Sequence, residues 1–325
     1  MDVSSLLWGG AAFLVVAWMV GVYLFSRLVL NPKRHTAWSD PRAELGLDFE
    51  AVRFPARDGL MIEGWFIPGP HQTEGPAAII MHGWPWNRMG TPANRLLWDL
   101  PGSTPVRLMP LAGQLHSEGY HVVMFDVRNY GESGSDLPQT YGWKESLDLL
   151  GALDMLEARD DVDASRMGVV GFSMGGNSLI YATGGTDQIR AGVAIQPTTP
   201  QVFSRRYRKA LLGPLSYLLY PPVEVLYRLR GGLKLTAFDL RTHATMARST
   251  PILYLQGSGD KWGSVEDAQA IAAATPNASE PILVPTEERF GGYMALVDRP
   301  EPIIDFFAPL LSPTPATAGQ EAVAH

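Results

Sequence analysis

Six short apolar runs, most of them separated by amphipathic stretches, set the architecture open to this chain. They fall at 77–83 (AAIIMHG), 121–127 (HVVMFDV), 167–173 (MGVVGFS), 191–196 (AGVAIQ), 252–257 (ILYLQG) and 281–285 (PILVP). Continuous rather than alternating, and rich in β-branched residues, they predict strands buried on both faces. Helical patterns at 106–118, 143–158, 174–184, 264–275 and 300–311 lie between or after them. Strand and helix in alternation predict an α/β fold: a mostly parallel sheet flanked by helices. Upstream, 48–69 holds two alternating runs about Arg57-Asp58-Gly59, which predict an antiparallel hairpin with an Asp-Gly turn at one edge of that sheet.

The alternation breaks once. Residues 197–250 are basic, aromatic and helical in character, with Pro221-Pro222 and Gly231-Gly232 as expected breaks. They predict a helical cap inserted over the sheet; charged aromatic helices of this kind also suit a membrane surface. The core then divides into 36–196 and 251–312, and 313–325 reads as a disordered tail. A Pro- and Trp-rich stretch at 84–105 reads as a long functional loop.

The N-terminus obeys a different rule. From Leu6 to Ser26 no residue is charged, and about 20 apolar residues cross a hydrocarbon core of roughly 30 Å as a helix. Only Asp2 and no basic residue precedes the run, and no small-x-small cleavage site follows it, which favours a single-pass anchor within 1–35 over a secretory signal. Arg27, Lys33 and Arg34 follow the span, so the positive-inside rule places the globular part in the cytoplasm. A net charge of -7 without a basic stripe excludes nucleic acid as the expected partner. The chain has no cysteine, which removes thiolate metal sites and Cys nucleophiles, and its histidines show no helix-borne ligand spacing; neither metal nor cofactor is expected.

Gly171-Phe172-Ser173-Met174-Gly175 carries the chemistry. A Gly-x-Ser-x-Gly match alone says little, because any glycine-rich turn with a serine satisfies it. Here it ends one predicted strand and opens a predicted helix, the setting of a nucleophile elbow, with the helix N-terminus facing the serine. The bland alternative is a serine that merely caps the helix.

In that context the chain resembles the α/β-hydrolase superfamily over roughly residues 48–311. "MHGWPW" (81–86) is similar to the family's oxyanion loop, "FDVRNYGESG" (125–134) to its Asp-x-Arg-x-x-Gly-x-Ser segment, "GSGDKWGSVEDA" (257–268) to the stretch that delivers the acid, and "RFGGYMALVDRPEPIIDFF" (289–307) to the last loop and helix. The resemblance implies an α/β-hydrolase fold with Ser173 as nucleophile, Asp260 as acid, and an oxyanion hole from the backbone N–H groups of Trp84 and Met174. It also implies a catalytic histidine after the last strand, and there the chain departs: "PTEERFGGYM" puts Phe290 at the expected position, and only His325 follows Asp260. His243 and His82 are the alternative bases, with Glu287 and Glu288 flanking the gap. Two functions stay open on these residues. One is a membrane-anchored serine hydrolase acting on a carboxylic ester, thioester or amide with an apolar acyl group. The other is a catalytically impaired relative that binds an apolar ligand or a protein partner. Turnover of simple esters is expected to be slow or absent.

Overall fold

The computed structural model describes residues 3–70, 74–91 and 104–311. The tail 313–325, His325 and most of the Trp-rich loop lie outside them. The chain runs from helix α1 (Val3–Leu30) through a one-turn helix α2 (Pro41–Leu45) into the hairpin β1 (Glu50–Pro55) and β2 (Met61–Ile67). Next come β3 (Gly75–Met81), the two-residue strands β4 (Gly90–Thr91) and β5 (Val106–Arg107), α3 (Met109–Ser117), β6 (His121–Phe125) and α4 (Glu145–Glu157). Strand β7 (Val162–Phe172), α5 (Met174–Ala182) and β8 (Ile189–Ile195) follow. Helices α6 (Pro200–Leu212), α7 (Ser216–Leu229) and α8 (Leu240–Ala244) intervene before β9 (Ile252–Gly257), α9 (Val265–Ala274), β10 (Ile282–Val284), α10 (Arg289–Asp298) and α11 (Glu301–Leu311).

Eight strands form one sheet in the order β1-β2-β6-β3-β7-β8-β9-β10. Strands β3 and β6 to β10 pair in parallel, and the β1–β2 hairpin joins antiparallel through β2 and β6. Its turn has Gly59 at φ 87, a conformation that favours glycine and that the Asp-Gly pair anticipates. Strands β3, β6 and β9 are buried along nearly their whole length, as continuous apolar runs demand.

Three expectations need correction. The last strand is not buried on both faces: β10 lies at the sheet edge with Ile282 and Leu283 exposed. The helix expected from 106 begins at Met109, because Val106 and Arg107 pair with Thr91 and Gly90. Pro221 and Pro222 do not break the insertion; α7 continues through both. A proline at 222 has no N–H for the carbonyl four residues back, at Leu218. That carbonyl accepts instead from Trp18 Nε1 on α1 at 3.2 Å. The side chain of Leu219 packs where α1 carries Gly21, and Arg230 just past α7 bonds Asn31 at 3.2 Å. Helix α1 is therefore joined to the insertion, and Arg34, which donates to the Gly131 carbonyl at 3.2 Å, joins the segment after it to the loop following β6.

That loop is held by a buried ion pair. Asp126 accepts from the backbone N–H of Arg88 at 2.7 Å, from its Nε at 3.0 Å and its Nη2 at 2.6 Å, and from the Glu132 N–H at 2.9 Å. Removing one partner leaves a buried charge uncompensated. Asp126→Ala is expected to destabilise the fold by about 3–5 kcal/mol, read as a lowered chemical-denaturation midpoint.

Candidate active site

Ser173 stands between β7 and α5 with φ 53 and ψ -109, a backbone conformation that non-glycine residues rarely adopt. Its neighbours dictate this. A Cβ on Gly171 would overlap the Gly175 carbonyl, and one on Gly175 would overlap the Met81 carbonyl of β3, so only glycine fits at both positions. The serine amide donates to the Ile195 carbonyl at 2.8 Å, and its side chain makes no capping bond to the helix. The bland reading of a helix cap therefore fails. Met174 opens α5, so its N–H belongs to the first turn, whose donors have no acceptor within the helix. Trp84 and Met174 line the same small cavity as Ser173, together with Pro200 and Phe203 of α6.

Asp260 lies in the loop after β9, nearly inaccessible to solvent. Its carboxylate accepts from the N–H groups of Trp262 at 3.0 Å and Gly263 at 2.8 Å, and from Gln256 Nε2 at 3.2 Å. The remaining partner is Nη1 of Arg289, in direct contact. The same guanidinium donates through Nη2 to Ser173 Oγ at 2.8 Å and to the Gln196 carbonyl at 3.3 Å. Burial alone would raise the Asp260 carboxyl; the charge and hydrogen bonds of Arg289 outweigh it and hold the carboxyl below its usual range. Burial works against the Arg289 charge, but Asp260 beside it leaves the guanidinium above its ordinary value.

The residue bridging nucleophile and acid is thus Arg289, and the expectation of Phe290 at that point is corrected by one position. The cause is the helix start. Residue 289 is the first of α10, and successive helix positions turn by about 100°. Arg289 faces Ser173, while Phe290 faces away and packs edge-on against Trp262 at 5.4 Å and Tyr293 at 6.2 Å. The sequence carried a faint sign of this in a basic residue directly before the expected position.

Two further residues went unread. Gln196, at φ 50, accepts from the Gly257 N–H at 3.0 Å and donates to the Arg289 carbonyl at 2.9 Å, fixing the start of α10 against β9. Tyr293, one turn after Arg289, sits against Ser173, Gln196 and the guanidinium without a well-formed hydrogen bond. Burial pushes its phenol up to about 12, so it is no base near neutrality.

Neither alternative histidine meets Ser173. The His82 ring is fully buried: Nδ1 donates to the Gly83 carbonyl at 2.8 Å and Nε2 accepts from the Val127 N–H at 3.0 Å, which uses both nitrogens. His243 is on α8, its Nδ1 bonded to the Asp239 carbonyl at 2.8 Å and its ring between Trp143 and Tyr181. Glu287 is exposed, and Glu288 accepts from Thr104 at 2.9 Å. Among the described residues no group of three or more His, Asp or Glu side chains is placed to hold a metal ion.

A strained serine behind β7, an acid behind β9 and a mostly parallel sheet between helices define an α/β-hydrolase scaffold. The chain belongs to the alpha/beta hydrolase family, whose sequence profile matches residues 78–317. It is similar to YfhR of Salmonella typhimurium (strain LT2), at 24% identity over 289 residues, covering 86% of this chain and 88% of that protein. Among solved structures it resembles the Pf2001 esterase of Pyrococcus furiosus, with a TM-score of 0.65 and 24% identity over 87% of this chain and 99% of the esterase. The acetyl xylan esterase of Paenibacillus sp. R4 gives a TM-score of 0.60 and 20% identity over 91% of this chain and 94% of that one. These likenesses establish the fold.

Burial lowers the His82 pKa from 6.5 to about 4. Between those values the unfolded chain binds a proton that the folded one refuses, so stability falls as pH drops through that window. A shift of this size corresponds to about 3 kcal/mol. Wild type should lose that much more stability than His82→Gln between pH 6.5 and 4, measured by urea unfolding in detergent.

Proposed function

We propose that the chain is a membrane-anchored α/β-hydrolase-fold protein that binds an acyl-bearing ligand at an oxyanion-competent serine and does not turn over simple esters. One observation carries the reading: Arg289 occupies the place between Ser173 and Asp260. Serine hydrolysis needs a group that takes the hydroxyl proton and later returns it to the leaving group. A guanidinium, with five donors and no acceptor, takes none. By donating to Oγ it leaves the serine O–H free to donate in turn. Ser173 then acts as a binding group, and the N–H groups of Trp84 and Met174 supply two further donors for the same ligand oxygen. The anchoring part rests on the apolar helix Leu7–Leu30, mostly exposed, with Arg27, Lys33 and Arg34 at its end.

A second reading follows from the retained strain at Ser173. A cation at 2.8 Å from Oγ favours the alkoxide formed when solvent hydroxide takes the Ser173 proton. Oγ then bonds an activated acyl or phosphonyl group once as its leaving group departs to solvent, and among the described residues no base is present to release the product. Ester hydrolysis separates both readings from an ordinary hydrolase. Loss of a triad histidine costs on the order of 10⁶ in turnover elsewhere. Wild type is expected to hydrolyse p-nitrophenyl acetate and butyrate no faster than Ser173→Ala. Wild-type turnover roughly 10³ or more above Ser173→Ala would refute the reading.

A further inference from the structure

Beside the Ser173 cavity lies a second one, narrow and mostly apolar. Its walls come from three places. Phe25 and Val29 belong to α1, Phe203 and Tyr207 to α6, Val223 and Tyr227 to α7. A pocket built partly from the end of a membrane helix has its apolar end at the bilayer. The opposite end lies toward the serine: Trp84, Tyr141 and Phe203 line both cavities and form the shared wall, or throat, between them.

Polarity is distributed unequally along this path. Near α1 the lining is aliphatic and aromatic, with Val29, Val223 and Leu233. Near the throat, Trp84 Nε1 and the Tyr207 hydroxyl are buried without hydrogen-bond partners. Buried polar groups in native proteins nearly always have partners, so unpaired ones lining a cavity mark where a ligand's polar atoms belong. On its outer side the pocket shares Ser204, Arg208, Tyr220 and Glu224 with a groove that also carries Arg205, Arg228 and Lys234. That rim is cationic, as suits the surface of an anionic leaflet. Next to it α7 exposes Leu218, Val225 and Leu229, continuing the apolar surface of α1.

We propose that the cavity between α1, α6 and α7 takes a single fatty-acyl chain from the leaflet that holds α1, with the chain's carbonyl end at the throat beside Ser173. The proposal rests on the membrane-anchored reading above. It assigns the tail to Phe25, Val29 and Val223, and the acyl oxygens to Trp84, Tyr207 and the donors around Ser173. Entry is sideways from the bilayer, since α1 itself forms one wall.

The test uses the full chain in phosphatidylcholine vesicles with two probes, palmitic acid and palmitoyl lysophosphatidylcholine, each carrying a diazirine on the acyl chain. After irradiation, peptide mass spectrometry locates the adducts. Labelling is expected at Phe25, Val29, Val223 or Tyr227, competed by unlabelled palmitate or lysolipid, retained in Ser173→Ala and lost in both Val223→Trp and Val29→Trp. Labelling by the acid alone assigns a free fatty acid, and by the lysolipid alone a monoacyl lipid; either supports the port. Because Val223 is deeply buried and Val29 is not, Val29→Trp decides the matter where Val223→Trp fails to fold. Adducts confined to the outer faces of α1 and α7 in a protein that floats with the vesicles overturn the port but not the anchor. A protein that does not float overturns both. Robust ester turnover with pocket labelling overturns only the non-hydrolytic reading.

Discussion

A buried guanidinium must be surrounded by acceptors, and the site is arranged around that demand. Arg289 draws Asp260 from the loop after β9, Ser173 from the elbow after β7 and the Gln196 carbonyl from the end of β8 into one cluster. Each of these lies where a strand of the parallel sheet ends. Exchanging Arg289 for an uncharged residue would strand Asp260 in the interior, with the cost that attends any half-removed buried pair. The cation ties α10 to the sheet and, on the proposed reading, fills the place from which a base would have to work.

How far this was legible in the sequence depends on the kind of constraint. The strained strand-to-helix turn at Ser173 could be read because two glycines beside a serine leave little else possible where β3, β7 and α5 crowd together. The sheet could be read because strands buried on both faces leave uninterrupted apolar runs. Arg289 could not, because which of two adjacent side chains faces Ser173 depends on the residue at which α10 begins, and helix starts are poorly marked when the N-cap is a glutamate that makes no capping bond. Pro221 and Pro222 misled for a related reason: the carbonyl left without a donor is satisfied by Trp18, some 200 residues earlier, which no local pattern reveals. His82, which the sequence offers as an alternative base, stands at a buried strand end with both ring nitrogens engaged, a burial that no local pattern marks.

The apolar N-terminal helix and the insertion between β8 and β9 are separate in sequence and joined in space. Trp18, Phe25 and Asn31 all meet the insertion. On the proposed reading this joint has a consequence: the wall of the ligand cavity is fixed to the bilayer, and the ligand never needs to cross water. A site reached from the membrane does not need a fast hydrolytic step to be useful. Binding, sensing or carrying an acyl chain asks only for donors held in place, which the elbow and Arg289 provide.

The central claim is that Ser173 has no proton acceptor among the described residues. The most direct measurement is the rate at which a fluorophosphonate modifies Ser173, followed by intact mass from pH 5 to 10. A serine activated by a neutral imidazole reacts within minutes, with an inflection near the histidine pKa of about 6.5. For this chain the account predicts slow modification that rises with hydroxide concentration and shows no inflection between about pH 6 and 8. Rapid stoichiometric labelling with an inflection in that range, abolished in Ser173→Ala, would contradict it.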